Sequence, residues 1–167
     1  PVQRMEQALL EAVPRDSNSG FDMRAIIHMI VDKESFFEIG EFYGPSQICG
    51  FATLAGQPVG VLANDCMHYA GAMTAEAAQK YRGFVEMCDT FHVPVVNFVD
   101  QPGFMIGPES ERAGTIRYGM AAVAAAAQAT VPWAVIQVHK GFGVATAAHY
   151  APGAYVLAWP SVESGLS

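Results

Sequence analysis

Two unbroken apolar runs constrain this chain more than any other feature. "VPVVNFVD" at 93–100 and "WAVIQVHK" at 133–140 do not alternate between apolar and polar residues. A strand with one wet face alternates, whereas a continuous run belongs to a sheet covered on both faces. Between them lies "TIRYGMAAVAAAAQAT", 115–130, long enough for a crossover helix and lined with alanines that permit close packing. A strand, helix, strand succession of this kind is an α/β pattern, so the fold class is α/β.

The remaining segments fit the same plan. Residues 2–12 read as a short helix with leucines on one face, ended by Pro14 and followed by the polar "RDSNSG"; residues 1–20 are thus an N-terminal helix and linker. Asp22 is placed to cap "MRAIIHMIVD", and "SFFEI" suits a short strand. "QICGFATLAGQPVGVLAND", 47–65, reads as a hairpin around Ala55-Gly56-Gln57-Pro58, with Pro58 expected to stop the pairing. Thr74 should start a long helix over 73–91, with Glu76 in its first turn and a core stripe of Ala77, Tyr81, Phe84, Val85 and Cys88. "QPGFMIGPESERAG" reads as a loop, and "AYVLAWP" as a third strand after a short helix. There is no internal repeat.

Composition bounds the function classes. The 167 residues suit one domain over 1–167, and 51% hydrophobic against 15% charged content implies a surface partly covered by a partner subunit or by a missing domain. Net charge is −7 and the nine Lys and Arg are scattered, which argues against nucleic acid and against an anionic membrane surface. The apolar run "MAAVAAAA" is far too short to span a bilayer, and the first ten residues lack the apolar core of a signal peptide. Cys49, Cys66 and Cys88 are odd in number and have no CxxC spacing; neither a disulfide framework nor a metal site is expected, and each should fill core space in a reducing compartment. The start at Pro1 and the end soon after a strand-like run are expected of a piece cut at both ends from a longer polypeptide.

The candidate chemistry lies in small residues. There is no GxxxxGK[ST] and no GxSxG, and "GFGVAT" carries Thr146 where a dinucleotide fingerprint needs glycine or alanine. "AGAMTAEAAQK" (70–80) and "GFGVATAAHY" (141–150) each put small residues at the mouth of a helix after a strand. Helix mouths expose unpaired N–H groups, and two of them converging on one point form an oxyanion hole. The same residues also suit plain close packing, which spacing alone favours. His139 and His149 are not expected to form an acid–base pair, and His149 reads as structural. Lys140 reads as a surface lysine or an anion partner. Asp100 suits either a general base or the cap of the "QPGF" turn. Glu109, Glu111 and Arg112 read as a solvated face, and Arg117 and Tyr118 as a possible contact with another subunit.

Taken in order, "CGFATLAGQPVGVLAN", "AGAMTAEAAQKYRGFVEMCDTFHVPVVNFVDQPGFMIG", "RYGMAAVAAAAQATVPWAVI" and "KGFGVATAAH" resemble the C-terminal half of the carboxyltransferase (β) subunit of biotin-dependent acyl-CoA carboxylases, the propionyl-CoA carboxylase type, over about residues 20–165. The resemblance implies a crotonase-like (ClpP/crotonase) fold, a superhelix of ββα turns. It implies carboxyl transfer from carboxybiotin, borne on a carrier protein, to the α-carbon of an acetyl- or propionyl-type acyl-CoA. Backbone N–H groups of Val144 and Ala145 would form the biotin-side oxyanion hole. Gly71 and Ala72 would stand at the opposite wall, with Gly103, Phe104, Gly107 and Gly143 lining the channel. Implied partners are the biotin carboxyl carrier or biotin carboxylase subunit, the N-terminal carboxyltransferase half, and further copies in a dimer or hexamer. The implied location is cytoplasmic, or the mitochondrial matrix in a eukaryote. Two alternatives stay open: a decarboxylase component acting on a malonyl-type CoA thioester, and a non-catalytic half domain. One departure stands out: many members have Gly-Gly-Ala where this chain has Gly143-Val144-Ala145.

Overall fold

The computed structural model describes residues 5–16 and 19–165. Its centre is a seven-stranded sheet in the order β1-β2-β3-β4-β5-β6, with β7 also paired to β5. The strands are β1 (Phe37–Glu38), β2 (Gln47–Leu54), β3 (Gln57–Asn64), β4 (Val95–Gln101), β5 (Trp133–Phe142), β6 (Tyr155–Ala158) and β7 (Glu163–Gly165). β2 pairs antiparallel with both β1 and β3; from β3 onward every pairing is parallel.

Four α-helices accompany the sheet: α1 (Met23–Ile30), α2 (Ala75–Thr90), α3 (Pro108–Ala113) and α4 (Thr115–Gln128). Side chains of successive strand residues sort to opposite faces. Leu62, Val95 and Val99 pack with Tyr81, Phe84 and Cys88 of α2 and with Ala122 and Ala126 of α4. Val61, Ala63, Phe98 and Val138 pack with Ile26 and Ile27 of α1. Both faces are covered, which is why β4 and β5 are apolar without alternation.

The caps fall where the side chains demand. The Asp22 carboxylate accepts from Ala25 N–H at 3.1 Å, and the Thr74 hydroxyl accepts from Ala77 N–H at 3.1 Å. Around the hairpin turn, Asp32 accepts from Gly56 N–H (2.8 Å), Ala55 N–H (3.1 Å) and the Thr53 hydroxyl (2.7 Å). These donors hold its carboxyl below the usual range.

Several expectations need correction. Pro58 does not stop the hairpin; it lies inside β3 opposite Thr53, and the turn is only Ala55-Gly56. The helix expected over 2–12 is a single 3-10 turn at Gln7–Leu10 with no buried residue, and residues 1–4 lie outside the described region. The stretch expected to be all loop contains α3. Gly107 precedes it, Pro108 opens it, Glu109 and Glu111 occupy its first turn, and Gly114 ends it in a left-handed conformation (φ 76°). Proline is welcome at a first helical position because the N–H it lacks has no partner there. The third strand exists as β6, but all four of its residues are exposed.

α4 also fixes the loop after β4. Gly119 is buried, and a Cβ there would enter the van der Waals envelope of the Phe104 ring. Elsewhere in a helix, Gly→Ala stabilises by about 1 kcal/mol. Here Gly119→Ala is expected to destabilise by about 1–3 kcal/mol, because the ring must leave its seat. Thermal unfolding gives the sign directly, and a stabilised variant would show that Phe104 does not pack on α4.

Candidate functional site

The candidate site gathers where β4 and β5 end. Gln101 pairs with Gly141, so the loop after β4 and the turn after β5 leave the sheet side by side. β5 runs to Phe142, two residues beyond the strand expected from sequence. Gly143 then adopts φ 64°, a conformation costly for any side-chain-bearing residue, and turns the chain into a 3-10 helix over Val144–His149.

That turn leaves two donors spare among the described residues. Gly143 N–H reaches the Gly165 carbonyl of β7 at 3.3 Å, and Thr146 N–H closes back on the Gly143 carbonyl at 3.2 Å. Among the described residues, the N–H groups of Val144 and Ala145 find no acceptor. The first residues of a helix have none within the helix itself. Ala145 is fully buried, whereas the Val144 side chain is 60% exposed, so the departure from glycine at 144 places its bulk in solvent.

The loop after β4 carries three of the candidate residues, Gly103, Phe104 and Gly107. Met73 N–H donates to the Gly103 carbonyl and Met105 N–H to the Met73 carbonyl, both at 3.0 Å, which stitches Phe104 beside Met73. Gly71 packs against the Asp100 carbonyl and Pro102. Gly71 and Ala72 are not at the mouth of α2, however. They lie in a 3-10 turn ahead of it, and their N–H groups are spent on His68 and Tyr69 carbonyls at 2.9 Å each. They can wall a channel but have no free donors to offer. Gly107 lines a separate hollow of about 90 Å³ with Met105, Ser110 and Thr115, whose lining includes none of residues 143–145. A larger cleft of about 590 Å³, between Val13 and Trp159–Glu163, touches His139 but none of the candidate residues.

The titratable groups separate cleanly. Asp100 does not cap the "QPGF" turn: its Oδ1 accepts from Lys140 N–H at 2.9 Å and lies 3.7 Å from His139 Nδ1. Burial pushes the Asp100 carboxyl up. The turn is capped instead by Gln101, whose Oε1 accepts from Gly103 N–H at 3.2 Å. His149, on the other face of β4, meets Asn97 and Gln101, so the two histidines share no partner. Asn97 and Gln101 were missed from sequence, although a polar residue inside "VPVVNFVD" was a visible signal. Glu109, Glu111 and Arg112 are exposed, and Arg117 stacks on Tyr118 at 4.9 Å. Cys49 and Cys88 are buried and all three thiols are free, the Cys88 thiol pushed up to about 12 by burial. Among the described residues there is no metal-binding cluster and no helix long and apolar enough to cross a membrane.

The family model of the carboxyl transferase domain matches residues 1–166. This chain belongs to that family. It is 36% identical over 166 residues to the human mitochondrial propionyl-CoA carboxylase beta chain, covering 98% of this chain and 31% of that one. It is 36% identical over 163 residues to the methylmalonyl-CoA decarboxylase subunit alpha of Veillonella parvula, covering 96% and 32%. Its backbone superimposes with a TM-score of 0.92 on a hexameric transcarboxylase 12S crystal structure with methylmalonyl-coenzyme A and methylmalonic acid bound, at 35% identity over 96% of this chain and 32% of that one. The fold is thus the crotonase-like one expected. The chain spans about a third of the length of the curated relatives it matches.

The site carries one clear pH dependence. Burial lowers the His149 pKa to about 3. The unfolded ring binds its proton near pH 6.5, so the folded state is favoured above that pH and loses stability as pH falls through the interval down to about 3. Between pH 7 and pH 5 this ring alone should remove about 2 kcal/mol of stability. Denaturant unfolding of the wild type and of His149→Met at both pH values should show that difference in the wild type only; equal pH sensitivity would show that His149 is not buried neutral.

Proposed function

We propose that this chain supplies the biotin-side half of a carboxyltransferase site, with the Val144 and Ala145 N–H groups as its oxyanion hole. The observation that carries the reading is the pair of donors that find no acceptor among the described residues where β5 turns into a helix, in a chain of the carboxyl transferase family. Carboxybiotin, when bound, supplies an activated carboxyl group whose departure leaves negative charge on the ureido oxygen. The two amides stabilise that charge, and being fixed by the backbone they need no reorganisation as it develops. Gly143 lets an oxygen approach them closely, and Ala145, packed in the core, anchors them. Gly71, Ala72, Gly103 and Phe104 form the facing wall. Gly107 belongs to the same loop but serves through α3. No side-chain base is required of this chain, in keeping with Asp100 and His149 being engaged elsewhere.

The acceptor is an acyl-CoA of acetyl or propionyl type. The biotin is presented by a carrier or biotin carboxylase subunit, the acyl-CoA by an N-terminal carboxyltransferase half, and the working form is a dimer or a hexamer. The protein acts in bacterial cytoplasm or in a mitochondrial matrix. The likeness to a methylmalonyl-CoA decarboxylase subunit favours a second reading in which the same site moves carboxyl groups from a malonyl-type thioester onto biotin. Carboxylation driven by ATP, bicarbonate and carrier supports the first direction; turnover of a malonyl-type thioester alone supports the second.

Val144→Pro tests the hole itself. Position 144 is the first residue of its helix, where proline is tolerated, so the variant deletes one N–H with little change in the fold. Loss of one such donor should lower kcat about 10²–10³-fold, while Val144→Ala stays near wild type. Equal rates for Val144→Pro and wild type would remove the amide from the mechanism.

A further inference from the structure

Among the described residues, one buried side-chain atom has no hydrogen-bond partner: Asn97 Oδ1. It belongs to a residue in contact with His149, whose side chain is fully buried. The His149 ring faces two amide nitrogens. Asn97 Nδ2 is 3.0 Å from Nδ1, and Gln101 Nε2 is 3.2 Å from Nε2. Both amides present donors, yet a neutral imidazole has a single acceptor nitrogen and an imidazolium has none. One contact therefore sets donor against donor.

The two amides are not equally free to resolve the conflict. Turning Gln101 would break its bond from Gly103 N–H and put an NH₂ against that N–H. Asn97 Nδ2 also donates to the His149 carbonyl at 3.2 Å, beside the Trp133 indole N–H at 3.0 Å. A half-turn of the Asn97 amide gives up that bond and sets Oδ1 beside the carbonyl oxygen, which keeps its Trp133 donor; in exchange it brings the orphaned Oδ1 onto ring Nδ1 and leaves Gly103 N–H bonded. The chain of bonds then runs in one direction: Gly103 N–H to Gln101 Oε1, Gln101 Nε2–H to His149 Nε2, His149 Nδ1–H to Asn97 Oδ1.

We infer that His149 is a positioning residue, a neutral ring with its proton on Nδ1 that ties the 144–149 helix to the 101–104 loop. It thereby fixes the two spare amides relative to the loop across from them. The bonding stands on its own geometry; only its kinetic consequence rests on the carboxyl-transfer reading. The surroundings suit a ring kept neutral. α2 presents the Tyr81 ring, edge-on at 5.6 Å, with its hydroxyl committed to the Ala148 carbonyl. β5 presents Trp133, β4 presents the two uncharged amides, Ala122 and Ala126 of α4 join the same core, and no charged group acts on the ring.

Two variants of the full-length protein test this, each followed by hydrogen exchange of the 101–107 and 143–149 peptides and by kcat and KM of carboxyl transfer. His149→Met removes both ring nitrogens and should speed exchange at 101–107 about tenfold. Gln101→Leu leaves the ring but removes its partner on the loop, and should speed exchange at 143–149, to which Gln101 is bonded through the ring. In both variants kcat should fall while KM stays near wild type. A ring that merely fills space would leave 101–107 exchange in His149→Met and 143–149 exchange in Gln101→Leu at wild-type rates, and either result overturns the inference. If His149→Met fails to fold, Gln101→Leu decides alone. A wild-type protein without carboxyl transfer would contradict the functional reading, and the exchange results would still decide the bonding.

Discussion

A strand that ends on glycine and turns directly into a helix leaves amides with nothing to hold, and the candidate site depends on that constraint. The last residues of β5, Lys140–Phe142, pair with β7, and Gly141 among them also pairs with Gln101 at the end of β4. Gly143, at φ 64°, reverses the chain there. A buried N–H without a partner ordinarily costs 1–3 kcal/mol, and a fold retains such groups where something else needs them. Here Ala145 is held in the core while Val144 stands in solvent, so the donors sit at a boundary that a ligand can reach.

The rest of the architecture holds this turn in place. α2 and α4 cover one face of the sheet and press Phe104 against Gly119, which positions the loop after β4. The Tyr81 hydroxyl and the Trp133 indole both donate to carbonyls of the 144–149 helix. A six-residue 3-10 helix is too short to be stable by itself, so tertiary contacts must fix it. Asp100 and Lys140 add a bond between β4 and β5 at the same end. Their chemistry is structural: the carboxylate is occupied, and its burial disfavours the charged form.

Much of this was legible in the sequence because it follows from local rules. The unbroken runs at 93–100 and 133–140 required a sheet buried on both faces, and Asp22 and Thr74 marked helix starts that the structure keeps. What was not legible depended on tertiary context. Pro58 sits inside a strand because the hairpin turn is closed by a carboxylate from Asp32, far away in sequence. α3 was hidden because Gly107, Pro108 and Gly114 read as loop residues, although the same residues also mark a helix's two ends. Gly71 and Ala72 were placed at a helix mouth, but the 3-10 turn ahead of α2 uses their amides. The Asn97–Gln101–His149 cluster joins two elements about 50 residues apart, a pairing that no local pattern encodes.

The account stands on two main-chain donors meeting one ligand oxygen. A structure of the full-length protein with biotin bound measures this directly. The account predicts the ureido oxygen within about 2.7–3.1 Å of both the Val144 and the Ala145 nitrogen. A biotin ring seated elsewhere, with those two amides bonded within their own chain, would contradict it.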